Sequence, residues 1–496
     1  MNITSVFILF AVIIPATSYA WGMRGTTIGG EKGAMLPGAI IGAILALCSN
    51  ILIVQENFFI FAGLGAVAMY FGGCMTYGET LSFSISAYPA TDLGKGLGAL
   101  ALKGFLWFSV FGAIFTTGAS AVAQKYSIIE LVIIFTLTPA LALIGLRVFN
   151  RPHNLHDVKF PKIYFSKTRK EYWGAMVGIL TSLLIINIIK LNSYSVIFAL
   201  VCGAFGGIGW VIGQLLQIYF IHKAKKSSFY LIRRCAEKGY FEGWKAMECT
   251  LGAFGGIGCA VAFIVTYKQF KEAMFVLELS GGSIPYNSTL SKALLVVWIV
   301  LLVADMLHYY IKKPRSIAEL KNLYINGEIS PEKYTKKMFK ATPDTKKNTA
   351  IDSFLEAYEF IVYAVIPFVL ISLGCSQSAQ IMAFFMLYWV LAQEIGFENN
   401  FHKIPLTVLG VICLVLQLFI GIHVSIKATI ILYTVIYEAL SLIYLIKEIT
   451  EKENTDIQLS KSNKIIEEIK LVLKSKSFLT THVYFIICII TTLAII

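Results

Sequence analysis

The residues in this chain with the clearest chemical potential are ionisable groups set in or beside apolar runs. Glu248 follows Trp244-Lys245-Ala246-Met247 and precedes Cys249, Thr250 and a glycine-rich heptapeptide. One turn into a membrane helix, a carboxyl is costly unless it faces a partner or a water-filled cavity, where it can carry a proton. The plainer alternative is that it snorkels to the interface. Glu79 follows Gly78 at the end of another apolar run, and Gln214 follows Gly213 in a matching place. Buried, Glu79 could carry a proton or pair with Arg24, Lys32 or Lys95; at headgroup depth it would only be solvated.

Glycine and positive charge are densest in Trp21-Gly22-Met23-Arg24-Gly25-Thr26-Thr27-Ile28-Gly29-Gly30-Glu31-Lys32-Gly33. Around a helix start, such a segment can present backbone N–H groups and the charges of Arg24 and Lys32 to an anion. It fits neither GxGxxG nor GxxxxGK[ST], so no nucleotide site is implied. An interfacial turn with both cations facing lipid headgroups would use the same residues. Asp305 and His308 stand three apart on one helical face, before Tyr309 and Tyr310. Such a pair can relay protons or couple to a cation, but two ligands make no metal site, and the tyrosines read as an interfacial belt. Glu394, Glu398 and His402 form a looser group of the same kind.

Trp21, Trp173, Trp210 and Trp244 recur near glycine motifs. Most suit a membrane interface, whereas Trp210, inside its run, is expected to line a cavity. Substrate contact is therefore expected from Arg24, Lys32, Glu79, Trp210, Gln214 and Glu248, and ion coupling from Glu79, Glu248, Asp305 and His308. No metal or cofactor is expected: the cysteines form no CxxC pair and sit mostly within apolar runs, as small buried hydrophobes do.

The elements that must position these groups follow from composition. Of 496 residues, 57% are hydrophobic and 14% charged, well below the charge content of soluble domains. Lipid is the implied solvent. Apolar runs at 3–20, 34–54, 58–78, 97–122, 128–148, 173–190, 194–221, 245–266, 293–311, 357–374, 380–396, 404–422, 424–446 and 478–496 are each long enough to cross a ~30 Å hydrocarbon core. They predict an all-α integral membrane protein of about fourteen transmembrane helices. Most of the 42 Lys and Arg fall in 149–171, 222–243, 312–350 and 447–476. An even number of runs separates each pair of these segments, so all four share one side. The positive-inside rule makes that side cytoplasmic and accounts for the net charge of +13 without nucleic acid. Parity then puts the N-terminus outside and keeps 3–20 as an uncleaved first span, although Ser18-Tyr19-Ala20 resembles a signal-cleavage site. A bacterial cytoplasmic membrane is the expected location.

Three parts are expected: a glycine-rich, repeat-containing core at 1–311, a basic cytoplasmic loop at 312–350, and C-terminal spans at 351–496 with an amphipathic surface segment near 447–476. Gly374, Gly396, Gly410 and Gly421 are the only glycines in the last part. Gly-Ala-Phe-Gly-Gly-Ile-Gly occurs at 203–209 and identically at 252–258. Glu171-Tyr172-Trp173-Gly174-Ala175-Met176 matches Glu242-Gly243-Trp244-Lys245-Ala246-Met247, and Phe71-Gly72-Gly73 with Glu79 resembles Phe205-Gly206-Gly207 with Gln214. These matches predict a repeated glycine-rich helical hairpin, at 34–79 and again at 173–214, an arrangement found in transporters and also left by simple duplication.

A secondary transporter of a small polar or anionic solute, coupled to protons or cations, is the expected function, since no ATP-binding motif appears. The alternatives are a scaffold or subunit of a membrane complex, or a membrane-embedded enzyme on a lipid-linked substrate with Glu79 or Asp92 as base. Against the enzyme stand the lack of a His-rich cluster, a paired-Asp motif and a Ser nucleophile motif. The expected partners are the bilayer, with anionic phospholipid against the basic loops, and the solute.

Overall fold

The computed structural model describes residues 1–23, 30–73, 75, 93–150, 165, 171–237, 243–279 and 288–312, and beyond these 330, 358, 360–375, 378, 379 and 382. All regular elements among them are helical: α1 (Ile3–Met23), α2 (Gly30–Leu47), α3 (Leu52–Glu56), α4 (Phe58–Gly73), α5 (Leu93–Val122), α6 (Ile128–Phe149), α7 (Trp173–Ile189), α8 (Ser193–His222), α9 (Tyr230–Glu237), α10 (Gly243–Leu279), α11 (Ser288–Lys312) and α12 (Ile366–Ser372). Five helical stretches are long and apolar enough to cross a membrane: Ile3–Gly22, Leu93–Val122, Ile129–Phe149, Ser193–His222 and Gly243–Phe275. Gly33–Leu47, Phe58–Gly73, Trp173–Ile189, Lys292–Leu302 and Ile361–Ser372 are shorter apolar helices. The first ten predicted runs thus all carry helix. The runs from 380 onward, with the 447–476 segment and nearly all of the 312–350 loop, lie outside the described residues, single positions apart.

Two boundaries differ from the sequence expectation for local reasons. The run 34–54 breaks after Leu47, because Asn50 takes a left-handed conformation (φ 56°), which asparagine tolerates better than most residues, and α3 starts afresh. The run 245–266 continues to Leu279, since no glycine or proline interrupts 259–279. At ~1.5 Å per residue its 37 residues reach about 55 Å, so α10 outruns a ~30 Å apolar layer.

The chain forms two compact units, Met1–Pro285 with Ile371–Ile496, and Tyr286–Leu370. In the first, α1, α2, α4, α5, α8 and α10 pack each on the next and close a circuit of six helices, with the α6–α7 pair set against α5. Glycines set the approach at these contacts. A Cβ on Gly38 or Gly42 of α2 would strike the α4 backbone at Gly65 or Phe61, and one on Gly104 of α5 would strike Gly206 and Trp210 of α8. Lipid tails offer no hydrophobic drive between helices, so such backbone contact, rich in dispersion, is what holds them. Aromatic rings link the helices inside the circuit. Trp21 meets Trp107 edge-on at 5.2 Å and Phe108 at 5.9 Å, and Phe115 lies near Phe61, Phe111 and Phe198. By contrast, α6 turns Ile129, Val132, Leu143, Ile144 and Val148 outward, the apolar surface a lipid-facing helix needs.

The hairpin repeat is corrected in one respect. Helices α2 and α4 pack closely on each other, but α7 seats its Gly174 and Gly178 against Gly145 and Leu141 of α6 and touches α8 only lightly. The equivalence of 34–79 with 173–214 therefore stops at sequence, because the glycines of α7 face a different neighbour. In the second unit, Trp298 of α11 donates its indole N–H to the Val362 carbonyl at 2.7 Å, inside a π-helical turn at Ile361–Val365.

Candidate functional site

The two heptapeptides meet. On the antiparallel helices α8 and α10, a Cβ at Gly209 would lie 2.7 Å from Cβ of Phe254, and one at Gly258 would lie 2.5 Å from Cβ of Phe205. The third residue of each copy thus fills the space left by the seventh residue of the other. Gly206 and Gly255, the fourth residues, both lie against the ring of Phe108 on α5. The remaining glycines point to different helices, Gly203 and Gly207 to α5 and Gly252 and Gly256 to α1. A local two-fold relation results, with Phe108 near its axis and Sγ of Cys202 3.6 Å from Sγ of Cys259.

At the end of this contact formed by the C-terminus of α1 and the N-terminus of α10, here called the tryptophan end, polar groups collect. Glu248 is 2% exposed, and both of its carboxylate oxygens have partners. Trp244 Nε1 donates to its Oε1 at 2.9 Å, Lys245 Nζ lies 2.9 Å from Oε2, and the same ammonium donates to the carbonyl of Gly22 at the last turn of α1. Lys245 therefore joins a carboxylate to a helix C-terminus, where the macrodipole favours a cation. Glu248 is buried, as the sequence suggested, and it is partnered.

Sequence reasoning passed over a second ion pair. Lys103, 1% exposed on α5, places Nζ 2.9 Å from Oε2 of Glu171, which is fully buried just before α7. The other carboxylate oxygen accepts from the Phe165 backbone N–H at 3.3 Å, and Nζ lies 5.7 Å from the centre of the Phe165 ring. A lone lysine well inside the apolar run 97–122 was the available signal, since such a charge demands a partner.

Gln214 is the departure from this pairing. It is fully buried, and neither its amide oxygen nor its amide nitrogen has a hydrogen-bond partner; Oε1 of Gln217, one turn on, is also unpartnered. An unmade hydrogen bond on a buried amide costs on the order of 1–3 kcal/mol per group. Trp210, one turn before, packs against Gly104 and is 1% exposed.

At the opposite end, here called the asparagine end, the buried amides are satisfied. Nδ2 of Asn192 lies within 3.0 Å of Ser120 Oγ, Tyr126 Oη, Asn187 Oδ1 and Ser195 Oγ, while its Oδ1 accepts from Lys125 at 3.2 Å. Tyr126 donates to Asn187 at 2.6 Å, and Asn187 donates to Thr117 and to the Leu183 carbonyl. A capping box starts α6: the Glu130 N–H donates to Ser127 Oγ, and the Glu130 carboxylate accepts from the Ser127 N–H and pairs with Lys190 at 2.7 Å. Burial pushes the Tyr126 phenol up to about 12, and burial together with the Lys190 charge lowers the Lys125 ammonium.

Of the predicted site residues, Trp210, Gln214 and Glu248 fall together at the tryptophan end. Arg24 and Glu79 lie outside the described residues. Lys32 falls on the first turn of α2, and Asp305 and His308 fall on α11 in the other unit, with the side chains of all three outside the description. Among the described residues no group of three or more His, Cys, Asp or Glu could hold a metal ion. No family model, curated protein or solved structure matches this chain.

Proposed function

We propose that the chain is a multi-pass transporter of about fourteen spans in a cell membrane, its basic loops cytoplasmic, that moves a small polar solute along a proton or cation gradient. The observation that carries the reading is Gln214: a buried amide, unpartnered at both atoms, on a face of α8 packed through glycines, is an expensive feature that a polar guest would repay. The buried carboxylates Glu248 and Glu171, each beside a lysine, are the groups able to exchange partners during a coupled cycle. A scaffold is the second reading, favoured by the fact that both carboxylates are already paired, as a purely structural bundle would have them.

Uptake of labelled sugars, amino acids, carboxylates and phosphate into proteoliposomes, with and without an imposed pH gradient, separates the two. Transport predicts protein-dependent uptake of one class that responds to the gradient. A folded, correctly inserted protein that moves none of them supports the scaffold.

A further inference from the structure

The face of α8 toward α5 carries Gly203, Gly206, Trp210, Gln214 and Gln217, which recur at helical spacing along one stripe. Contacts fix its partner: Gly203 lies against Ser109 Oγ and Phe105, Gly206 against Gly104 and Phe108, and Trp210 against Gly104. Toward one end of this stripe two neighbouring side chains have polar atoms without hydrogen-bond partners, namely both amide atoms of Gln214 and Oε1 of Gln217. Gln214 is fully buried and Gln217 is 2% exposed. Both are uncharged.

The buried charges nearby cancel. Among the described residues the buried charged side chains are Lys103, Glu171 and Glu248; the first two pair with each other, and Glu248 pairs with Lys245. Among the described residues, an ion entering this face would meet a low dielectric and no buried charge that is not already paired. A molecule carrying both a donor and an acceptor would instead complete the amide of Gln214 at both atoms.

From this geometry we infer that the α5–α8 face binds a small neutral solute of the amide, urea or polyol class, with Gln214 as its principal contact and Gln217, one turn on, as a further one. The inference rests on the transport reading and narrows its solute to an uncharged one.

The test is uptake by proteoliposomes of labelled urea, glycerol and glucose as neutral probes, and of formate, phosphate and methylammonium as charged ones. Wild-type protein, Gln214→Leu and Gln217→Leu are compared, each first shown to be monodisperse and to melt cooperatively. The expected result is protein-dependent uptake of at least one neutral probe, reduced tenfold or more in Gln214→Leu and severalfold in Gln217→Leu, with charged probes at the protein-free rate. Uptake of a charged probe alone would overturn the neutral class and leave transport standing. Uptake of a neutral probe unaffected by Gln214→Leu would overturn the site. If no probe moves, the inference and the transport reading fall together.

Discussion

The two ends of the helical circuit handle buried amides in opposite ways. At the asparagine end, Asn187 and Asn192 join the termini of α5, α7 and α8 in a network in which each amide is paired. At the tryptophan end, Gln214 is just as buried and wholly unpaired. A satisfied buried network rigidifies and contributes to stability, whereas an unsatisfied amide subtracts from it. The contrast separates a region built to hold the helices from one that keeps polar capacity in reserve. It predicts that polar-to-apolar changes at the two ends will have different signs.

The largest effect is expected at the buried ion pair. Lys103→Met takes from the buried Glu171 the ammonium that pairs with it, at a cost of about 3–5 kcal/mol, while Lys103→Met with Glu171→Leu should recover most of the loss. Thermal melting in detergent measures both; a single variant as stable as wild type would show that this end tolerates lone charges.

Next comes the direct comparison of the ends. Asn192→Leu removes bonds made to Ser120, Ser195, Lys125, Tyr126 and Asn187 and should cost roughly 2–4 kcal/mol, whereas Gln214→Leu should be neutral or stabilising by up to about 1 kcal/mol. Denaturant unfolding followed by tryptophan fluorescence reads both, and equal losses would break the contrast.

A smaller effect is expected from pH. Tyr126 lies between the spans and its folded pKa is raised to about 12 from 10.0, so the folded state holds this proton more tightly than the unfolded one. Its contribution is therefore fully present below pH 10 and is lost as pH rises from 10 to 12. Tyr126→Phe should flatten that part of the stability profile, and an unchanged alkaline limb would place the titrating group elsewhere.

The smallest effect belongs to the half-exposed Lys190–Glu130 pair: Lys190→Ala should cost under about 1 kcal/mol and shrink further in high salt. A larger loss in the same melting assay would extend the asparagine network outward to α6.

The helices themselves were legible in the sequence, because length and hydropathy set them almost alone: each of the first ten apolar runs carries helix among the described residues, apart from the break at Asn50, the extension of α10 and a tenth run that is helical over Ile361–Ser372. Partnership was less legible. Glycine spacing shows that a helix can approach a neighbour closely but not which one, so α7 was assigned to α8 when its Gly174 and Gly178 meet α6. Glu248 and Gln214 were visible as polar residues in apolar context, yet only coordinates distinguish the partnered carboxylate from the unpartnered amide. Lys103 carries the same signal inside its run, whereas Asn192 does not, since it sits in the short polar turn between the runs 173–190 and 194–221.

The exchange of Phe205 and Phe254 into the gaps at Gly258 and Gly209 also bears on biogenesis. A helix leaving the insertion machinery waits in lipid until its mate arrives, and α10 is the next long apolar helix after α8. Each copy of the heptapeptide is the mould of the other, so the pair can recognise its register before any later segment is made. Sliding by one helical turn would unseat both phenylalanines from these paired gaps at once, and misassembly is thereby penalised at the first opportunity. Because the glycines at 206 and 255 converge on Phe108, which is synthesised earlier still, the newly joined hairpin finds its seat on α5 already waiting.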